Sequence, residues 1–184
     1  MSLGLAASLD AFVHRARSKI ASLLTDQVRL GLRSGFAVAY SGGLDSTVLL
    51  HITRQFCADH NIPSVAFHIH HGLSPNADLW LQHCAAECKQ LGVAFDFKQI
   101  QVNVRGEGIE AAARQGRYQA LGELCAKHQL STLLTAHHID DQAETLLIQL
   151  LRGSGPRGLG GMDEFNFAPD LLQSDSIIIA RPLL

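Results

Sequence analysis

The chain has 184 residues, 47% of them hydrophobic, which suffices for one well-packed domain. Fifteen Lys and Arg against 17 Asp and Glu give a net charge of −2, a poor global footprint for nucleic-acid binding, so any such binding needs a local patch or a further part of the protein. No apolar run reaches the roughly eighteen residues of a membrane span. Met1 to Asp10 lack a basic signal-peptide head, and four cysteines fall at unpatterned spacings, so a cytoplasmic setting is expected.

Leu9, Phe12, Val13, Ala16, Ile20, Leu23 and Leu24 keep helical spacing, with Arg15, Arg17 and Lys19 on other faces. This predicts an amphipathic helix over about 8–30. Phe36 to Tyr40, short, apolar and preceded by Gly35, predicts a buried strand. Thr47 to Thr53 opens a buried helix that runs to about His60. Val65 to His70, introduced by Pro63, predicts a second strand, and 77–91 a helix closed by Gly92. Cys84 and Cys88 are one turn apart on that helix and read as core thiols. Then come a strand over 93–102, a long helix over 109–128, a strand over 132–136, a helix over 139–151 and a last strand over 177–180. Strands alternating with long helices predict an α/β fold, a parallel five-stranded sheet with helices on both faces. In such sheets ligands bind at the strand C-termini. The chain is read as one domain over 1–184, and its apolar end, Ile177 to Leu184, is expected to be a truncation.

Between the first strand and its helix stands Ser41-Gly42-Gly43-Leu44-Asp45-Ser46. Strand, glycine-rich turn and helix together aim backbone N–H groups and a helix N-terminus at one point, which suits phosphate. Gly42 and Gly43 allow positive φ and a close ligand. Ser46 is expected to cap the helix, with Ser41 and Thr47 as further hydroxyl donors. A Walker A loop would carry a lysine, but no lysine occurs between Lys19 and Lys89. An acid beside phosphates is repulsive unless a divalent cation intervenes, so Asp45 suggests magnesium. The plain alternative is an ordinary left-handed turn.

A second cluster is Leu134-Thr135-Ala136-His137-His138-Ile139-Asp140-Asp141-Gln142-Ala143-Glu144-Thr145. Asp141 and Glu144, three apart on a helix, share a face and suit a metal or an ammonium group. Simple complementarity to the helix dipole is the bland alternative. His68, His70 and His71 raise a transition-metal question, without any familiar zinc-hydrolase spacing. Arg114 and Arg117 lie on one side of their helix, as a phosphate-binding pair or a solvated basic face. Gly153-Ser154-Gly155-Pro156-Arg157-Gly158 matches GxGxxG formally, but it follows a helix and contains Pro156, so it reads as a mobile loop or lid rather than a dinucleotide site.

Ser41 to Ser46, His70-His71-Gly72-Leu73, Glu110-Ala111-Ala112-Ala113-Arg114 with Arg117-Tyr118, His137-His138 with Asp140-Asp141-Gln142 and Glu144-Thr145, Arg152-Gly153-Ser154-Gly155, and Arg181-Pro182-Leu183-Leu184 occur in this order. Together they resemble the tRNA(Ile)-lysidine synthetase family of PP-loop ATP pyrophosphatases, with an adenine nucleotide alpha hydrolase-like, Rossmann-type fold. The resemblance implies that ATP adenylates the wobble cytidine of an isoleucine tRNA with CAU anticodon. Free lysine then attacks through its side-chain amine, giving lysidine, AMP and pyrophosphate. It implies that Ser41, Gly42, Gly43, Leu44, Asp45 and Ser46 hold ATP, with Asp45 near magnesium. Asp141 and Glu144 would recognise lysine, Arg114 the cytidine or the transferring phosphate, and His137 would stand at the substrate. The partners so implied are isoleucine tRNA and free lysine, with a homodimer as a further expectation and no membrane. The resemblance also implies C-terminal tRNA-gripping domains, which are expected to lie outside this chain.

Two rival classes are another PP-loop enzyme, thiolating or amide-forming, and a histidine-rich metal-dependent hydrolase. Sulfur transfer would call for a cysteine near the loop or a C-x-x-C pair, and the sequence offers neither.

Overall fold

Successive side chains along a strand point to opposite faces, and this assigns each strand residue to one of two cores. The computed structural model describes residues 2–72, 74–101, 108–153 and 160–184. In chain order the elements are α1 (Ser2–Arg29), β1 (Phe36–Ala39), α2 (Leu44–His60), β2 (Ser64–His70), α3 (Ala77–Leu91), β3 (Ala94–Gln99), α4 (Ile109–His128), β4 (Thr132–Leu134), α5 (Ile139–Leu151), β5 (Phe165–Phe167), α6 (Pro169–Leu172) and β6 (Ile178–Ala180). Among the described residues no helix is long and apolar enough to cross a membrane.

The sheet has six strands in the order β3-β2-β1-β4-β6-β5, not five. Every neighbouring pair is parallel except β5–β6, which is antiparallel. The strand that sequence reading lacked is β5, whose Phe-Asn-Phe is too short to show periodicity and is fixed only by pairing with β6. Two expected strands are also shorter: β3 ends at Gln99 and β4 at Leu134. Leu73, Val102 and the loop from Ser154 to Gly158 lie outside the described residues.

Phe36, Val38 and Tyr40 face one core, shared with Ala16 and Ile20 of α1, Leu49, Leu50 and Phe56 of α2, and Cys84 and Cys88 of α3. Ala37, Val65, Phe67, Ile69 and Leu133 face the other, against Tyr118, Leu121, Leu124 and Cys125 of α4 and Leu172 of α6. Both faces of the sheet are therefore covered, as parallel strands require. Helix α5 differs, since none of its residues is buried and Leu147, Leu150 and Leu151 are exposed.

At the entry to the sheet, buried Gln27 of α1 donates to the Gly35 carbonyl at 2.9 Å and to Thr132 Oγ1 at 2.8 Å, and accepts from Gly35 N–H at 3.1 Å. At the exit, the chain order reverses around β1, whose neighbours are β2 on one side and β4 on the other. Loops leaving β1 and β4 diverge there and leave a crevice at the strand C-termini.

Candidate active site

That crevice is a cavity of about 790 Å³. Its walls include Ser41, Gly43, Asp45 and Ser46 after β1; His68, His70, His71 and Gly72 at the end of β2; Trp80 of α3; Arg114, Arg117 and Tyr118 of α4; and Thr135, His137 and Asp141 after β4. Residues from several separate sequence clusters thus meet in one place. Gly42, Leu44 and Glu144 are not on its wall: Leu44 is 80% exposed, and Glu144 is exposed one turn beyond Asp141.

The glycine loop is held from within and from α3. Ser41 Oγ and Ser46 Oγ are 3.0 Å apart, Gly43 N–H donates to Ser41 Oγ at 3.3 Å, and Ser46 Oγ donates to the Gly43 carbonyl at 3.0 Å. Ser46 is therefore not the expected cap. Gly43 occupies the N-cap of α2 without any side-chain bond, and Ser46 sits inside the first turn. The first-turn N–H groups are left without that cap, which suits an anion at this helix end. Gly42 has φ +82°, and a Cβ there would meet Cys84 Sγ at 2.6 Å and Trp80 Nε1 at 3.0 Å. A cysteine therefore does lie near the loop in space, contrary to the sequence expectation. It is fully buried, and burial followed by the charge of Glu87 pushes its thiol up to about 11, so it packs rather than reacts.

The turn after β4 is organised by reciprocal capping. His138 N–H donates to Asp141 Oδ2 at 2.8 Å, while His138 Nδ1 accepts from Asp140 N–H at 3.3 Å. Because Nδ1 accepts, the ring proton of the neutral imidazole sits on Nε2. That nitrogen is 3.6 Å from Asp45 Oδ2 and 3.6 Å from Asp141 Oδ2. His137 Nδ1 lies 3.0 Å from Thr135 Oγ1. Burial, then the Arg181 guanidinium, hold its imidazole below the ordinary pKa, so it is neutral at pH 7.

On the β2 side, His68 Nδ1 donates to the Tyr40 carbonyl at 3.0 Å, and His70 Nε2 meets Asp78 Oδ1 at 2.9 Å. The buried Nδ1 atoms of His70 and His71 have no partner among the described residues. On α4, the guanidinium carbons of Arg114 and Arg117 lie 5.5 and 5.4 Å from the ring centre of buried Tyr118. Arg181, buried as well, donates to the Asp163 carbonyl at 2.7 Å and to Asn166 Oδ1 at 2.8 Å, bracing the β5 edge. Among the described residues, no three His, Cys, Asp or Glu side chains gather as a metal cage. Asp45 and Asp141, facing one imidazole from two elements, are instead the kind of sparse carboxylate set that suits magnesium shared with phosphates.

Sequence reasoning missed Trp80, Tyr118 as a platform and the bracing by Arg181; Thr135 stood in the second cluster without a role of its own, and it bonds locally to His137. The loop, the histidines and the first-turn aspartates carried a local signal; Trp80, Tyr118 and Arg181 act through packing between elements.

The model of the PP-loop domain matches residues 13–184 of the chain. Over 138 residues the chain is 59% identical to the tRNA(Ile)-lysidine synthase of Alkalilimnicola ehrlichii, a match covering 72% of the chain and 30% of that protein. Over 129 residues it is 51% identical to the enzyme of the same name from Pseudomonas aeruginosa, covering 70% and 28%. The chain thus spans under a third of the length of these relatives. In fold it resembles the U34-tRNA thiolase NcsA from Methanococcus maripaludis, with a TM-score of 0.65 at 16% identity over 95% of this chain and 60% of that one. The glycine loop, the switch-point crevice and a match along nearly the whole length agree, and the chain belongs to the PP-loop family.

Proposed function

We propose that this domain uses ATP to adenylate the wobble cytidine of an isoleucine tRNA and then joins lysine to it, with release of pyrophosphate and AMP. The observation that carries the reading is the meeting of the glycine loop and the Asp141 turn at one cavity, linked through His138. Kinship with lysidine synthases supports the choice of reaction. A cytoplasmic location and free lysine as co-substrate belong to the same reading.

In this scheme the N–H groups of the loop and the α2 N-terminus bind the phosphates of ATP. Asp45, with Asp141 within reach, would hold magnesium, which would offset the negative charge of the phosphates. Arg114 lines the same cavity as the loop and receives the cytidine or the phosphate being transferred. Asp141 and Glu144 draw in the lysine ammonium. The attacking amine must be neutral, and deprotonating it at pH 7 costs about 4.6 kcal/mol from a pKa near 10.4. Carboxylates that hold the cation raise that cost, so a proton acceptor is required. His138 is unsuited, because Nδ1 is engaged in the cap and Nε2 already carries a proton. His137, kept neutral beside the cavity, takes the amine proton as AMP leaves.

The test is incorporation of radiolabelled lysine into isoleucine tRNA in the presence of ATP. It is run with this chain joined to the remaining portion of the Alkalilimnicola ehrlichii relative, and with the chain alone. The fusion is expected to label the tRNA, and the chain alone to label it poorly. Asp45→Ala and Glu144→Ala should abolish labelling. Retained labelling in both variants would remove these site assignments, and robust labelling by the chain alone would refute the need for further domains.

A further inference from the structure

The glycine loop has a support that none of its own residues provides. Trp80, on the first turns of α3, donates its indole N–H to the Ser41 carbonyl at 2.6 Å. The same ring lies against Gly42, where an added Cβ would come within 3.0 Å of Nε1 and 3.2 Å of Cε2. Trp80 also lines the cavity and remains 47% exposed, so it is no ordinary core aromatic.

The bond fixes more than one atom. The Ser41 carbonyl and the Gly42 N–H belong to a single planar trans peptide, in which the two groups point in opposite directions. With the oxygen held toward α3, the Gly42 N–H is turned away from α3; Gly42 is itself off the cavity wall, but it stands between Ser41 and Gly43, which are both on it. A glycine at φ +82° has little intrinsic resistance to rotation of this peptide, because no Cβ restricts it. Without the indole the peptide is free to turn over, which would present a carbonyl dipole where an anion needs a donor.

We propose that Trp80 is a positioning residue that locks the first peptide of the phosphate loop with its N–H available to the nucleotide's phosphates. The assignment rests on the ATP reading above. It concerns the phosphate chain alone, so it separates ATP from a nucleoside without phosphates.

The test is calorimetric titration of the chain and of Trp80→Phe with ATP plus magnesium chloride, and separately with adenosine. Phe keeps a ring against Gly42 but has no N–H. Trp80→Phe should bind ATP about tenfold more weakly, the worth of one well-made hydrogen bond, while its affinity for adenosine stays that of the unaltered chain. Equal ATP affinity in both proteins would overturn the assignment. So would an equal loss for ATP and adenosine, which would mark Trp80 as general scaffold. Trp80 is the single tryptophan of the chain, so emission of the unaltered protein gives an independent readout. Its fluorescence should change on saturation with ATP, and unchanged emission there would also overturn the proposal. Failure of the unaltered chain to bind ATP at all would remove the nucleotide reading, and this assignment with it.

Discussion

His138 Nε2 stands 3.6 Å from Asp45 Oδ2, so the turn that opens α5 touches the turn that opens α2. One imidazole therefore does two things: it caps its own helix through Nδ1 and bridges to the glycine loop through Nε2. His138→Asn retains a good N-cap but shortens the reach to Asp45, whereas His138→Ala loses both. Loss of the cap is worth about 1 kcal/mol, or roughly fivefold in local opening. Amide exchange across α5 should accelerate by that factor in the alanine variant and stay near the original in the asparagine variant. Equal exchange in all three proteins would mean that the cap does not hold α5.

Gly122 carries a steric prediction. A Cβ there would lie 2.0 Å from the Leu172 carbonyl oxygen and 2.9 Å from its carbon, both backbone atoms of α6. Gly to Ala inside a helix is ordinarily favourable by up to about 1 kcal/mol. Here overpacking against backbone outweighs it, at about 1–3 kcal/mol. Gly122→Ala should lower Tm by about 2–4 °C for each kcal/mol, measured by scanning calorimetry. An unchanged or higher Tm would show that α6 gives way without loss.

Acid should weaken the fold in a defined window. His68, His71 and His137 all have pKa values below 6.5: burial is the main cause in each, followed by Arg117 for His71 and Arg181 for His137, while at His68 the Tyr40 carbonyl partly opposes it. The unfolded chain therefore takes up protons at these sites before the folded chain does. Stability is full above 6.5 and falls as pH drops through that value toward the lowered folded values. Urea midpoints measured from about pH 7.5 to about pH 5 should be level at first and then decline. A level profile throughout would mean that these imidazoles are as solvated in the fold as outside it.

The four cysteines are all buried and unpaired. Burial pushes Cys57, Cys88 and Cys125 up to about 12 and Cys84 up to about 11. A disulfide reagent such as Ellman's should find no fast thiol in the folded protein and four after unfolding. A rapid single equivalent in the native state would contradict the packing of Cys84 beneath Gly42.

Local grammar made much of this legible. The alternation of apolar strands with long helices gave the layers, and Gly42-Gly43 with Asp45 marked the loop, because a turn's glycines and a helix's first acid lie next to each other in sequence. β5 was hidden for the opposite reason: Phe165 to Phe167 is only three residues long and depends on β6 for its pairing. The cap was misread because Ser46 is a good capping residue in general, but here Gly43 already occupies that position. Trp80 lies 39 positions from the carbonyl that it holds, and Cys84 meets Gly42 only because α3 packs under the loop. The spacing of Asp141 and Glu144 suggested one shared face, yet Asp141 lines the cavity while Glu144 lies outside its wall.

Gln27 has a wider meaning than its position near the N-terminus suggests. Its one amide group clasps Gly35 at the root of β1 and Thr132 at the root of β4. Those are the two strands whose opposite ends carry Ser41 and His137. Shortening the protein past the leading helix would unfasten the pair at its base, so the spacing between the nucleotide loop and the histidine turn is partly written into a segment that touches neither.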